Sequence, residues 1–209
     1  MGMASRLLLR RSSRVLLNRD GGLLSAVRSE LEHELSSSPP RSVQFQCDGK
    51  VGNFALDWDD AKTQDLVLRR RFGSGEEIAL SALLGPLIYE GKNPLPRHAL
   101  MKVFVKKPDP EPILQFDCTV FHQDHEADSE FVIENVKYLS STDPSRSSRY
   151  RGPSFSCLDP DLQDAFKDYL VDRGVNAELT NFLLLHLRQK EQDQYVNWLH
   201  GLENFLKKA

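Results

Sequence analysis

The chain has 209 residues, 40% apolar and 27% charged, with a formal net charge of −3, enough for one ordinary domain with a real core. Its longest mostly apolar run, residues 78–89, contains Gly85 and Pro86 and falls well short of the ~20 residues that a helical membrane span needs, so no span is expected. Cys47, Cys118 and Cys157 lie far apart in no Cys-x-x-Cys spacing, which suggests neither a disulfide framework nor a zinc site, and the absence of any Asn-x-Ser/Thr sequon removes the usual mark of a secreted surface.

The first twenty residues carry five arginines and one acid, Asp20. Arg6, Arg10 and Arg14 recur at i, i+4 and i+8, with Leu8, Leu9, Val15 and Leu16 on the other side of a helical wheel. An Arg-rich, Ser-containing, acid-poor amphipathic start predicts an organelle transit peptide over residues 1–20; a basic tail is the plainer alternative. Removing it leaves 22 basic against 29 acidic side chains, a formal charge of −7. Residues 21–209 are then expected to form a single acidic domain.

Leu24, Val27, Leu31 and Leu35 follow at spacings of 3, 4 and 4, which predicts a short amphipathic helix ended by the serine run and Pro39–Pro40. A helix of that length needs a surface to lie on. From residue 41 the pattern becomes extended. Strands are predicted over 43–47, 54–58, 65–72, 77–84, 100–107, 112–121 and 130–139, rich in Val, Ile, Phe and Tyr and bounded by DGK, GSGE, GKNPLP and KPDPEP. Seven sequential strands without an intervening helical window argue for an antiparallel sheet. Lys102, Gln115 and Asp117 alternate with apolar neighbours, so one sheet face is expected to be wet.

The last third reads as two helices. Asp159 is a good N-cap, Pro160 fits the first helical position, and Leu162, Phe166, Tyr169 and Leu170 form one stripe. Arg173 and Gly174 supply a cationic last turn and a left-handed stop. Asn176 then caps a helix running to about residue 206, ~45 Å long at 1.5 Å per residue. Its apolar stripe is Leu179, Phe182, Leu183 and Leu187, then Tyr195, Trp198, Leu199, Leu202, Phe205 and Leu206. The second, aromatic-rich stripe lies beyond the reach of short strands and calls for cover from the first helix or from another subunit.

Motifs for chemistry are sparse. His122-x-x-His125 beside acids could ligate a metal, but a loop pair without two further spaced ligands reads better as a surface pair. Gly73-Ser74-Gly75 lacks the Lys-Ser/Thr of a phosphate loop and fits a hairpin turn, and no Gly-x-Ser-x-Gly elbow is present. Cys118 and Cys157 read as packing residues. Arg69, Arg70 and Arg71 form the strongest basic run after residue 20, but strand alternation sets Arg70 opposite the other two, and an acidic chain counts against nucleic acid.

The stretches YRGPSFSCLDPDLQDAFKDYLVDRGV (150–175) and NFLLLHLRQKEQDQYVNWLHGLENFL (181–206) resemble the C-terminal signature of the mitochondrial acidic matrix protein family. Its animal member doubles as a receptor for the globular heads of the first complement component, and its plant members are called the mitochondrial glycoprotein family. The resemblance continues through VLRRRFGSGEEIAL, PILQFDCTVF and EFVIENVKYL and spans nearly all of the chain after residue 20. It implies an α+β fold: a twisted seven-stranded antiparallel sheet flanked by one N-terminal and two C-terminal helices, in a ring-shaped homotrimer. Leu31, Leu35, Trp198 and Leu202 are then the expected subunit contacts; closure of a monomeric core is the alternative. Animal members carry long acidic loops, whose nearest equivalent here is residues 122–130, with Asp124, Glu126, Asp128 and Glu130. These acids are either solvated or an acidic surface for basic partners.

The resemblance thus implies a non-enzymatic, chaperone-like binding protein of the mitochondrial matrix, needing no cofactor and supporting mitochondrial gene expression, ribosome assembly or respiratory function. Its expected partners are further copies of itself and other matrix proteins, basic or ribosome-associated. Rival expectations are an RNA-associated factor, a metal-dependent enzyme using His122 and His125, and a plastid rather than a mitochondrial location.

Overall fold

The computed structural model describes residues 4–37, 49–108, 112–122, 128–139, 150 and 152–207, with the backbone alone for 4–20 and 94. Helix α1 runs over Ala4–Ser37, 34 residues without a break. The predicted short helix is therefore only the last part of a longer one, which continues back through Gly21, Gly22 and the Arg-rich start. The predicted strand at 43–47 lies outside the described residues.

Seven strands pair antiparallel in one sheet: β1 (Lys50–Val51), β2 (Phe54–Asp59), β3 (Asp65–Arg71), β4 (Glu77–Leu84), β7 (Ala99–Lys106), β8 (Ile113–His122) and β9 (Ser129–Leu139), neighbouring in that order. The first described strand is thus at Lys50–Val51, whose first residue closes the predicted DGK turn. A separate small hairpin, β5 (Tyr89–Glu90) with β6 (Asn93–Pro94), straddles the start of the predicted GKNPLP turn. Bulges shift the register at Leu56/Trp58 in β2 and at Asp117/Cys118 against β9, where Glu134 is passed over between Ile133 and Asn135.

Two compact units result, one from α1 with the α3 turns from Glu191 onward, the other from the strands through Lys190. In the strand unit, Leu66, Leu68, Ile78, Leu80, Met101, Val103, Phe116 and Val120 alternate onto one face and are fully buried, as a period of two requires. The other face is half exposed: Lys102 is open to solvent, and Gln115 and Lys137 both donate to the Asp117 carboxylate.

Helix α2 (Pro160–Val171) and the first turns of α3 (Ala177–Lys207) cover the apolar face with Leu170, Leu179, Leu183, Leu184 and Leu187. Asp159 caps α2 by accepting from the Asp161 amide at 3.0 Å, and Asn176 caps α3 by accepting from the Leu179 amide at 3.1 Å. Gly174 carries φ +91° between them, the left-handed stop predicted from sequence. Leu162, assigned to the α2 stripe, is exposed, so that stripe is narrower than its spacing suggested.

Candidate interaction surface

In the unit formed by α1 and the end of α3, three side-chain bonds set the two helices antiparallel. Arg28 Nε donates to Glu203 Oε1 at 2.9 Å, Tyr195 Oη to Glu30 at 3.0 Å and Gln192 to Glu34 at 2.6 Å. Between them Val27, Leu31 and Leu199 are buried, with Tyr195, Val196, Leu202 and Leu206 packed alongside. The second stripe of α3 is therefore covered in part, at Tyr195, Leu199, Leu202 and Leu206, by the first helix of the same chain. Of the four expected subunit contacts, Leu31 and Leu202 are spent on this cluster. Leu35 and Trp198 remain 57% and 58% exposed. The Trp198 ring stacks on Tyr195 at 6.0 Å and 19°, and Phe205, two helical turns further on, is exposed on the same side.

In the strand unit, charges are engaged in pairs. Arg173, the residue before Gly174, donates from Nε to Glu76 Oε1 at 2.9 Å and from Nη1 to the Tyr169 carbonyl at 3.0 Å, and lies 3.4 Å above the Tyr169 ring. Lys107 also bonds Glu76, and Arg70 Nη1 donates to the Arg173 carbonyl at 2.7 Å. Desolvation alone would raise the Glu76 carboxyl; the bonds from Lys107 and Arg173 outweigh it and hold the group below its ordinary value. Arg69 and Arg71 lie on the other strand face, where both bond Glu77 and Arg69 also bonds Asp57. The basic run is thus split as alternation predicted.

A third cluster was not read from the sequence. Asp59 at the end of β2 meets His186 Nε2 at 2.8 Å and Lys190 Nζ at 2.5 Å, and Lys190 also donates to the Asp65 carbonyl at 2.7 Å. His186 and Lys190 are i, i+4 on α3, but Asp59 is over 120 positions away and gives no local signal.

Residues Asp124, Glu126 and His125 lie outside the described set. Asp128 accepts from Asn181 Nδ2 at 2.8 Å, Glu130 sits half-buried at the start of β9, and His122 is exposed at the end of β8. Among the described residues no three His, Cys, Asp or Glu side chains gather as metal ligands, and no helix is long and apolar enough to cross a membrane. Cys118 is buried, its thiol pushed up to about 12 by desolvation and by the Asp117 and Glu134 carboxylates. Cys157 is exposed beside the 3-10 turn at Phe155–Cys157, so its assignment to packing is corrected.

The model of the mitochondrial glycoprotein family matches residues 92–206. The chain belongs to that family. Among the relatives of this family member is the mitochondrial acidic protein mam33 of Schizosaccharomyces pombe, 33% identical over 45% of this chain and 36% of the relative. Another is an uncharacterised mitochondrial protein of Arabidopsis thaliana, 24% identical over 90% of this chain and 72% of the relative. The chain therefore matches little more than a third of the length of the yeast protein.

The solved structure of the Trypanosoma brucei p22 protein superposes with a TM-score of 0.67 at 26% identity, over 90% of this chain and 98% of that one. A Leishmania major protein of unknown function, described as a sequence homologue of human p32, gives a TM-score of 0.67 at 20% identity over 90% and 99%. The seven-stranded sheet with one helix before it and two after is thus the fold of these relatives. Two of the relatives and the family itself are named mitochondrial, which supports that location for this member.

Proposed function

We propose that this family member is a non-enzymatic protein of the mitochondrial matrix that assembles as a ring-shaped homotrimer. Residues 1–20 act as its transit peptide and 21–209 as the mature domain. It serves as a binding or chaperone-like partner of other matrix proteins, in support of mitochondrial gene expression, ribosome assembly or respiratory function.

The observation that carries this reading is Trp198. A large aromatic ring is held in place by stacking on Tyr195 yet left 58% exposed, on a helix whose neighbouring side is already covered by α1. Exposed Phe205, two turns on from Trp198, and exposed Leu35 elsewhere on the unit add apolar surface, and exposed apolar surface of that kind marks contact with another chain. In this reading the acidic sequence stretch 122–130, with Asp124, Glu126, Asp128 and Glu130, attracts basic partners by the long-range attraction of opposite charge.

Light scattering after size exclusion tests the assembly. The chain should elute at three times its 23.8 kDa, and Trp198→Ala should shift the equilibrium toward monomer at least about tenfold, because an exposed ring buried in a contact contributes about 2 kcal/mol. A stable monomer indifferent to the substitution would refute the reading.

A further inference from the structure

Strand β9 stands at the end of the sheet and, among the described residues, pairs with β8 alone. Beside it runs a groove of about 320 Å³ lined on one side by Phe131, Val132, Ile133 and Glu134 and on the other by Ser154, Phe155, Ser156, Gln163, Asp164 and Lys167. Side chains of consecutive strand residues point to opposite faces. Phe131, Val132 and Ile133 can line one cavity together only along the backbone edge of the strand, so it is the edge of β9 that the groove exposes. An open edge flanked by a helix is the arrangement in which an extended peptide adds as a further strand, with main-chain hydrogen bonds to the edge and side chains on the helix wall.

The groove has defined ends. The Ser129 amide is bonded to Asn181 Oδ1 at 2.8 Å. Downstream, the backbone of Gly152 comes so close to the edge that an added Cβ would stand 3.2 Å from the Val136 carbonyl. The bulge that passes over Glu134 interrupts regular pairing and turns an acidic side chain into the groove, as bulges re-aim residues. Pairing room is left for about four residues, ~13 Å at 3.3 Å each.

Charge decides what fits. Glu134 and Asp164 line the groove, and Asp161 and Asp168 stand on the same helix; none of these four makes an ion pair among the described residues. Among the described residues that line the groove the single cation is Lys167, which lies over the Phe131 ring at 6.0 Å. We propose that the β9–α2 groove binds an extended peptide segment in which apolar and cationic residues alternate, by strand addition to Glu130–Ile133. This deepens the binding reading above and rests on it, but does not require the trimer.

The probe is a fluorescent, end-capped Arg-Val-Arg-Val-Arg-Val peptide, with two variants N-methylated on the arginines or on the valines. Alternate amides of a paired strand face its partner, so one variant should lose binding by at least about tenfold and the other by less than about threefold, given roughly 1 kcal/mol for each hydrogen bond deleted. Asp164→Lys, at an exposed helical position, should weaken the unmethylated probe about fivefold or more. Equal binding of both methylated variants would show a charge-only encounter and overturn strand addition. No binding of the probe, or indifference to Asp164→Lys, would overturn the groove as the site. The native-mass measurement above is untouched by any of these results, so loss of the groove and loss of the assembly reading are separately visible.

Discussion

Glu76→Gln is the substitution whose consequence can be worked furthest. Glu76 is 6% exposed and receives two charged donors, Arg173 Nε at 2.9 Å and Lys107. The Arg173 side chain is itself 18% exposed and is clamped between Glu76, the Tyr169 carbonyl and the Tyr169 ring. Breaking a fully buried pair by removing one partner costs about 3–5 kcal/mol; the partial exposure of Arg173 and the retained amide bond reduce this to about 2–3 kcal/mol. For a domain of this size that corresponds to a fall in Tm of about 4–12 °C.

Thermal unfolding of wild type, Glu76→Gln, Arg173→Met and the double variant gives the coupling, expected to be at least about 1.5 kcal/mol. Lys107→Met should cost less than about 0.5 kcal/mol, because Lys107 is largely exposed. The pH dependence has a fixed sign. A carboxyl held below its ordinary 4.5 in the folded protein stabilises above the unfolded value, and that contribution disappears as pH falls through the folded value. The gap between wild type and Glu76→Gln should therefore be full at pH 7 and close progressively below about pH 4.5. A loss under about 0.5 kcal/mol at neutral pH, or additivity of Glu76 and Arg173, would refute the account of the corner.

Three further outcomes are expected. Gly174→Ala places a Cβ 2.7 Å from Arg70 Nη1 at a φ of +91°, and should cost about 1–3 kcal/mol in denaturant unfolding. Leu183→Ala empties a fully buried position between sheet and α3, and should cost about 3 kcal/mol by the same assay. An alkylating thiol reagent at pH 8 should label exposed Cys157 while Cys118, buried and with its thiol raised to about 12, reacts only on unfolding; mass spectrometry of the peptides reads both.

How much of this was legible depends on whether a signal is local. The α2 cap at Asp159–Pro160, the Gly174 stop and the Asn176 cap are properties of adjacent residues, so spacing and residue type placed them. The strands from 54 onward were equally readable, because one face of each is buried and alternation survives. β1 and the β5–β6 hairpin were not, being two residues long and set by their partners rather than by a pattern. The length of α1 escaped for a different reason: Gly21–Gly22 reads as a break, since each glycine weakens a helix by about 1 kcal/mol relative to alanine, yet the helix continues through both. Trp198 was singled out as an expected contact by its stripe alone, whereas the Asp59 cluster and the β9–α2 groove join positions remote in sequence and needed the fold.

The distribution of paired charge bears on which partner the chain favours. Arg69, Arg71, Lys107, Lys137, Arg173 and Lys190 in the strand unit each bond a carboxylate. Phosphate recognition rests on cationic donors left available to the ligand, and pairing of this kind withdraws them. Asp161, Asp164, Asp168 and Glu134, by contrast, stand without ion pairs among the described residues. The field outside α2 is therefore set by carboxylates in excess even though the chain as a whole is only mildly acidic. For the groove proposed above, it is this local excess of carboxylates more than the net charge of −3 that would favour a cationic polypeptide. The run of three arginines, already expected from strand alternation to be split between two faces, is further tied down by the carboxylates that Arg69 and Arg71 bond.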